Sequence, residues 1–172
     1  AQHIVDTVYF GGGTPSYLGP KRLKALLSSV QKHYVLSKDA EITLEANPDS
    51  AGDWRALRTL RRAGFNRISL GMQSSIEGEL RAVGRIHTFE QVRAAVDAAR
   101  KAKFKNVSLD LIYGLPEQTM ESFSASLRAA VALEPEHISA YSLIIEEGTP
   151  FAEKTLELPD EEEERQMYER TG

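Results

Sequence analysis

Two rhythms of apolar residues alternate along the chain. Runs rich in β-branched and aromatic residues fall at 4–10 (IVDTVYF), 41–47 (EITLEAN), 67–73 (RISLGMQ), 106–113 (NVSLDLIY) and 137–145 (HISAYSLII), and such runs read as strands. Between them the spacing turns helical. Leu23, Leu26, Leu27, Val30 and Tyr34 form a stripe behind Pro20, a favourable first-turn residue. Trp54, Leu57 and Leu60 form a second stripe, ended by Gly64 as a C-terminal cap. Thr88 and Gln91 fit a capping box that opens a third helix with Phe89, Val92, Val96 and Ala99. A fourth helix begins near Thr119 and carries Phe123, Leu127, Ala130 and Val131. The last follows Pro159, and Asp160 with the glutamates behind it stands where carboxylates favour the helix dipole. That acidic run reads as a solvated helix start.

Strand and helix in steady alternation imply right-handed crossovers and a parallel sheet. The alternatives are an open doubly wound sheet and part of a (β/α) barrel. A closed barrel uses eight units and about 250 residues, so the strands here cannot close one, and an incomplete barrel-like sheet stays open as an expectation.

Side chains alternate faces along a strand, which divides each strand into two sets. Ile42, Leu44 and Ala46 stand against Thr43, Glu45 and Asn47; Ile68, Leu70 and Met72 against Ser69, Gly71 and Gln73; Val107, Leu109 and Leu111 against Ser108, Asp110 and Ile112. Strands covered by helices on both faces read as continuous apolar runs. These do not, so the apolar set meets the helices, and Thr43, Glu45, Ser69, Gln73, Ser108 and Asp110 are expected to face a concave lumen. A lone carboxylate in a dry interior costs several kcal/mol, so Glu45 and Asp110 need water, an arginine or a polar ligand. In parallel sheets ligands bind beyond the carboxyl ends of the strands, where Glu45, Gln73 and the loop from Gly11 to Thr14 fall. Consecutive glycines let backbone approach a ligand closely; a purely steric turn is the alternative. The loop lacks the endings of a Walker P-loop and of a dinucleotide-binding G-x-G-x-x-G motif.

Composition narrows the classes further. The 172 residues suit one globular domain, and no internal boundary interrupts them. The net charge is -4 with basic residues scattered along the sequence, which disfavours nucleic acid as a partner. No apolar run approaches the roughly 18 residues that cross a bilayer, and the expected location is the cytoplasm. Cysteine is absent, so this chain holds no thiol nucleophile and no thiolate ligand for zinc or an iron-sulfur cluster. His87 lacks a metal-site partner spacing and reads as structural, with His3, His33 and His137 at the surface or in packing. The chain opens at Ala1 without a methionine and stops at Gly172 beside an acidic helix, and is expected to be a fragment of something longer.

The segments YFGGGTPSYL, ITLEANP, ISLGMQS, GRIHT, LDLIYGLPEQT and SAYSLIIEEGTPF, in that order, resemble the radical S-adenosylmethionine proteins of the oxygen-independent coproporphyrinogen III oxidase family. EANP, GRIHT and SLIIEEGTPF are closest to the haem chaperones of that family, rather than to the oxidases. The resemblance implies an α/β fold, a partial (β/α) barrel of parallel strands with outer helices, whose lumen holds S-adenosylmethionine beside a 4Fe-4S cluster. It places Gly12, Gly13 and Thr14 at the methionine moiety and Glu45, Gln73, Arg85 and Asp110 in the pocket, with Ile144 at its edge. A carboxylate suits ribose hydroxyls or a sulfonium charge, and an arginine pairs bidentately with a carboxylate.

The family carries its three cluster cysteines just upstream of the segment that matches this chain. The expectation is therefore a single core unit, residues 1–172, without the cluster-binding βα unit and the C-terminal domain, catalytically inactive by itself. The whole protein would generate a radical from S-adenosylmethionine and engage haem or porphyrinogen through the missing regions, with a membrane-associated haem acceptor and self-association as further expectations. The alternatives are a coproporphyrinogen dehydrogenase that oxidatively decarboxylates propionates, and an unrelated barrel enzyme whose glycine loop binds a phosphorylated metabolite. An unpaired first strand invites association with another chain.

Overall fold

The computed structural model describes residues 3–149, 151–153 and 156–172; Ala1, and Pro150 of the last motif, lie outside them. Strands β1 (Ile4–Phe10), β2 (Val35–Ala46), β3 (Arg67–Gln73), β4 (Asn106–Tyr113) and β5 (His137–Ser142) form one sheet in sequential order. Every neighbouring pair is parallel. The helices are α1 (Gly19–His33), α2 (Trp54–Ala63), the short α3 (Glu77–Ala82), α4 (Phe89–Lys101), α5 (Met120–Val131) and α6 (Glu161–Arg170). Sequential order decides between the two architectures, because a doubly wound sheet reverses its strand order part-way. Each crossover here steps to the next neighbour, and the sheet is half of a barrel with its helices outside.

Local chemistry explains the helix ends. Thr88 Oγ1 accepts from Gln91 N at 3.3 Å while Gln91 Oε1 accepts from Thr88 N at 2.9 Å, a reciprocal cap that satisfies two otherwise unpaired donors. Thr119 with Ser122 and Asp160 with Glu163 repeat it on α5 and α6. Gly64 ends α2 at φ +127°, a conformation in which a β-carbon is strained.

The core lies between the sheet and its helices. Leu44, Ile68, Leu70, Met72, Val107, Leu109 and Leu111 are buried against Leu23 and Leu27 of α1, Leu57 and Leu60 of α2, and Val92 and Val96 of α4. Each such side chain contributes about 1.5–3 kcal/mol by leaving water. Phe65 and Phe104, just ahead of β3 and β4, are buried too, and Phe65 meets Phe10 edge-on with ring centroids 5.0 Å apart.

Several boundaries differ from the sequence reading. β2 begins at Val35, six residues early, because Ile4 and Val5 pair with Val35 and Leu36 across a register shift; this polar extension needs no buried face and so shows no alternation. β5 stops at Ser142 although Leu143, Ile144 and Ile145 favour strand, since its pairing with β4 ends at Tyr113. α3 went unread because six residues bury only Glu79 and Leu80. Leu26, Tyr34 and Val131 keep helical spacing yet are exposed, being at the margins of their stripes. The scattered cations also gather in part: Arg55, Arg58 and Arg62 share a hollow with Trp54, and Lys101 Nζ lies 4.6 Å from the Trp54 ring.

Candidate functional site

Strand register assembles the polar set on the concave face. Tyr9 pairs with Thr43, Thr43 with Arg67 and Arg67 with Asn106; Glu45 pairs with Ser69, Ser69 with Ser108 and Gly71 with Asp110. The carboxyl ends of these strands and the loops beyond them enclose a cavity of about 360 Å³. Gly13, Thr14, Glu45, Gln73, Arg85 and Asp110 all line it. Gly12 meets the same group through its N–H, which donates to Glu45 Oε2 at 3.1 Å. Ile144 stands apart, 80% exposed and away from the cavity, because the chain has left the sheet by that point. Thr43 and Ser108 share the concave face but lie below the cavity: Thr43 Oγ1 approaches Arg67, and the buried Ser108 hydroxyl has no hydrogen-bond partner among the described residues.

The three glycines have separate tasks. A β-carbon on Gly11 would lie 2.6 Å from Tyr9 Cε1 and 2.9 Å from Glu45 Oε1, so any larger residue there displaces one of these side chains. Gly12 and Gly13 have φ of +83° and +65° with open space beside them, which favours glycine for its backbone. Gly71 resembles Gly11, since a β-carbon there would lie 2.7 Å from Gln73 Nε2.

Tyr9 was not singled out from the sequence, although alternation along β1 sets Thr7 and Tyr9 against the inward Val8 and Phe10. Its hydroxyl donates to Glu45 Oε1 at 2.6 Å. Burial, and then this hydrogen bond to a carboxylate, hold its pKa well above the usual tyrosine range. Asn47, Ile112 and Tyr141 also line the cavity. Asn47 Nδ2 donates to Thr14 Oγ1 at 3.1 Å, Ser16 and Ser50 hydroxyls lie 2.6 Å apart, and Tyr17 donates to Asp49. These contacts fasten the glycine loop to the turn after β2.

Asp110 lies deeper. Ser69 Oγ is 3.0 Å from each of its carboxylate oxygens. Its pKa is raised, first by burial, with the Glu45 charge adding to the rise and the Ser69 hydroxyl opposing it. Arg85 reaches the cavity from the turn after α3, and among the described residues no ion pair claims its guanidinium. His87 is buried, with Nε2 3.2 Å from Met72 O. Burial is the main cause that lowers its pKa, so it packs as a neutral ring. The site therefore offers two carboxylates, an arginine, two amides and exposed loop backbone to one ligand. A larger hollow at the opposite end of the sheet, between the tail of α1 and the start of β2, contains no carboxylate.

Among the described residues no cluster of three His, Cys, Asp or Glu could hold a metal, and no helix is long and apolar enough to cross a membrane. Heme chaperone HemW of Mycobacterium tuberculosis is 43% identical over 170 residues, covering 96% of this chain and 43% of that protein. The heme chaperone HemW of Escherichia coli is 40% identical, covering 96% and 44%. The oxygen-independent coproporphyrinogen III oxidase of Pseudomonas aeruginosa is 39% identical over 143 residues, covering 82% and 31%. The chain thus spans less than half the length of these relatives. Among solved structures, coproporphyrinogen III oxidase (HemN) from Escherichia coli, a radical SAM enzyme, superposes with a TM-score of 0.86 at 31% identity, over 98% of this chain and 39% of that one. The Elp3 protein of Methanocaldococcus infernus has the same fold, with a TM-score of 0.77 at 19% identity. The sequence profile of the Radical SAM superfamily matches residues 1–130, and with the half-barrel and its rim cavity in place, the chain belongs to that superfamily.

Proposed function

We propose that this half-barrel binds S-adenosylmethionine in the hollow between Glu45, Gln73, Arg85 and Asp110, and that the protein it represents is a haem chaperone. The observation that carries the binding is the donor set of the cavity. S-adenosylmethionine presents a sulfonium cation, ribose hydroxyls, and an amino acid end with one carboxylate and one ammonium. Glu45 and Asp110 suit the cation and hydroxyls, Arg85 the carboxylate, and the volume of about 360 Å³ lies within the roughly 300–1,000 Å³ of small-molecule sites. When bound and reduced, the cofactor supplies radical chemistry. The residues of this chain do not fit the 4Fe-4S cluster that whole proteins of the superfamily carry: it has no cysteine, and cluster iron is held by thiolates.

A phosphate in the glycine loop is disfavoured by the Glu45 carboxylate, which already accepts the Gly12 N–H and repels an anion there. Haem handling is preferred over porphyrinogen oxidation because the named chaperones are 43% and 40% identical across 96% of the chain, whereas the Pseudomonas oxidase is 39% identical across 82% and the Escherichia coli oxidase 31% across 98%.

Calorimetric titration of this chain with S-adenosylhomocysteine tests the site. Binding that weakens at least several-fold in Glu45→Ala is expected; equal affinity in the variant, or displacement by inorganic phosphate, overturns the assignment. In the whole protein, stoichiometric haem binding without porphyrinogen turnover is expected, and turnover would favour the oxidase.

A further inference from the structure

Gln73 has a backbone conformation that requires support. Its φ is +63°, and Ser74 N donates to Met72 O at 2.8 Å, closing a three-residue turn with Gln73 at its centre. This is the rarer, strained form of γ-turn, and non-glycine residues persist in such regions only where their surroundings over-determine them. The β3–β4 ladder slips at the same point, between Gly71 and Gln73. The turn folds the Gln73 amide back over Gly71 and into the cavity.

The residue after the turn is tied to a buried carboxylate. Glu79 on α3 is only 5% exposed. Its Oε2 accepts from Ser74 Oγ at 2.5 Å and from Gln118 Nε2 at 3.0 Å, and its Oε1 accepts from Ser122 Oγ at 2.5 Å. Gln118 also donates to Ile112 O and accepts from Leu115 N, so the carboxylate joins the turn after β3 to the loop after β4. Gln73 and Ile112, one on each tied segment, both line the cavity. Among the described residues no cation pairs with Glu79. A buried carboxylate held by neutral donors alone is expensive, and hydrophobic packing of α3 does not require one.

We propose that Glu79 is a positioning residue: through Ser74 it locks the strained turn that aims Gln73 at the ligand, and through Gln118 it keeps the opposite rim in register. The inference rests on the cavity being the ligand site. Glu79 itself touches no ligand; its work is to accept three hydrogen bonds at once. An amide at the same position accepts through only one of its two atoms, so Glu79→Gln turns part of the clamp from attraction to donor–donor conflict. Ser74→Ala cuts the link to the turn, together with the hydrogen bond that the same hydroxyl accepts from Ile76 N and its contact with Ser126 Oγ, and leaves the other two donors to Glu79 in place.

The experiment uses the full 172-residue chain with S-adenosylhomocysteine as the probe. Expected are a several-fold loss of affinity in Glu79→Gln, Ser74→Ala and Gln73→Ala, and a clearly smaller further loss, the part carried through Gln118, when Glu79→Gln is added to Gln73→Ala. Equal affinity in Glu79→Gln and the wild type, or the same fold-loss with and without Gln73, overturns the proposal, because a merely structural carboxylate weakens both backgrounds alike. Amide hydrogen exchange provides a second readout that needs no ligand. The Ser74 N–H should exchange faster in Glu79→Gln and Ser74→Ala while β3 and β4 amides keep their protection; unchanged exchange at Ser74 overturns the clamp. Should the wild type fail to bind the probe, the ligand assignment fails, and the exchange result still decides whether Glu79 holds the turn.

Discussion

Gly11→Ala separates the two reasons for glycine in the loop after β1. The new β-carbon would lie 2.6 Å from Tyr9 Cε1 and 2.9 Å from Glu45 Oε1, well inside the roughly 3.5–4.0 Å of favourable contact. Both neighbours are ends of side chains, so the Tyr9 ring swings away and lifts its hydroxyl from Glu45. A hydrogen bond to a charged acceptor contributes about 1.5–3 kcal/mol. Tyr9 is 57% exposed, so the loss is nearer about 1 kcal/mol, a fall of about 2–4 °C in melting temperature for a chain of this size. Gly12→Ala is the control: its β-carbon meets nothing within 4 Å, but φ is +83°, which costs about 1–2 kcal/mol in backbone strain.

The two variants lose similar stability, and the Tyr9 phenol tells them apart. In the wild type, burial and the Glu45 hydrogen bond keep this phenol protonated into strongly alkaline solution. Released in Gly11→Ala, it should titrate at lower pH than in the wild type, moving towards the ordinary tyrosine value of about 10, whereas Gly12→Ala should leave it raised. Absorbance titration of the phenolate, with Tyr9→Phe in each background to isolate one tyrosine among six, measures the difference. A Tyr9 midpoint unchanged by Gly11→Ala, or moved further by Gly12→Ala, refutes the steric account.

Three further outcomes follow from charge and topology. Asp110 has its pKa raised in the folded state, so the fold holds that proton to higher pH than the unfolded chain does, and stability falls as pH rises through the window above the ordinary carboxylate value. Asp110→Asn should raise the urea midpoint at neutral pH and flatten its pH dependence; a lower midpoint at neutral pH contradicts this. His87 has its pKa lowered, so the unfolded chain takes the proton first and stability declines as pH falls below about 6.5. His87→Gln should lessen that acid sensitivity in the same assay. Among the described residues β1 and β5 each pair on one side only, and open edges recruit partners, so sedimentation of this chain should show association growing with concentration; a monomer throughout the accessible range opposes it.

What was legible in the sequence was whatever depends on neighbours along the chain. Alternation in 41–47, 67–73 and 106–112 separated Glu45, Ser69 and Asp110 from Leu44, Leu70 and Leu109, and the structure sets the first three around the cavity and the other three in the core against the helices. The Thr88–Gln91 cap could be read directly because both partners lie within one turn. Motifs carried the family, since many short matches in fixed order constrain one another.

The tertiary structure alone decided the rest. Sequential strand order, and so a half-barrel rather than a doubly wound sheet, depends on which strands pair. Tyr9 joined Glu45 across 36 residues, and Glu79 gained Gln118 and Ser122 across 39 and 43. The end of β5 was set by where β4 stops offering hydrogen bonds, which left Ile144 outside the cavity despite its apolar run. The physical reason is common to all of these. Periodicity and capping are energies of adjacent residues, whereas register, closure and buried hydrogen bonds are energies of residues that only folding brings together, and no local pattern encodes which distant partner will be there.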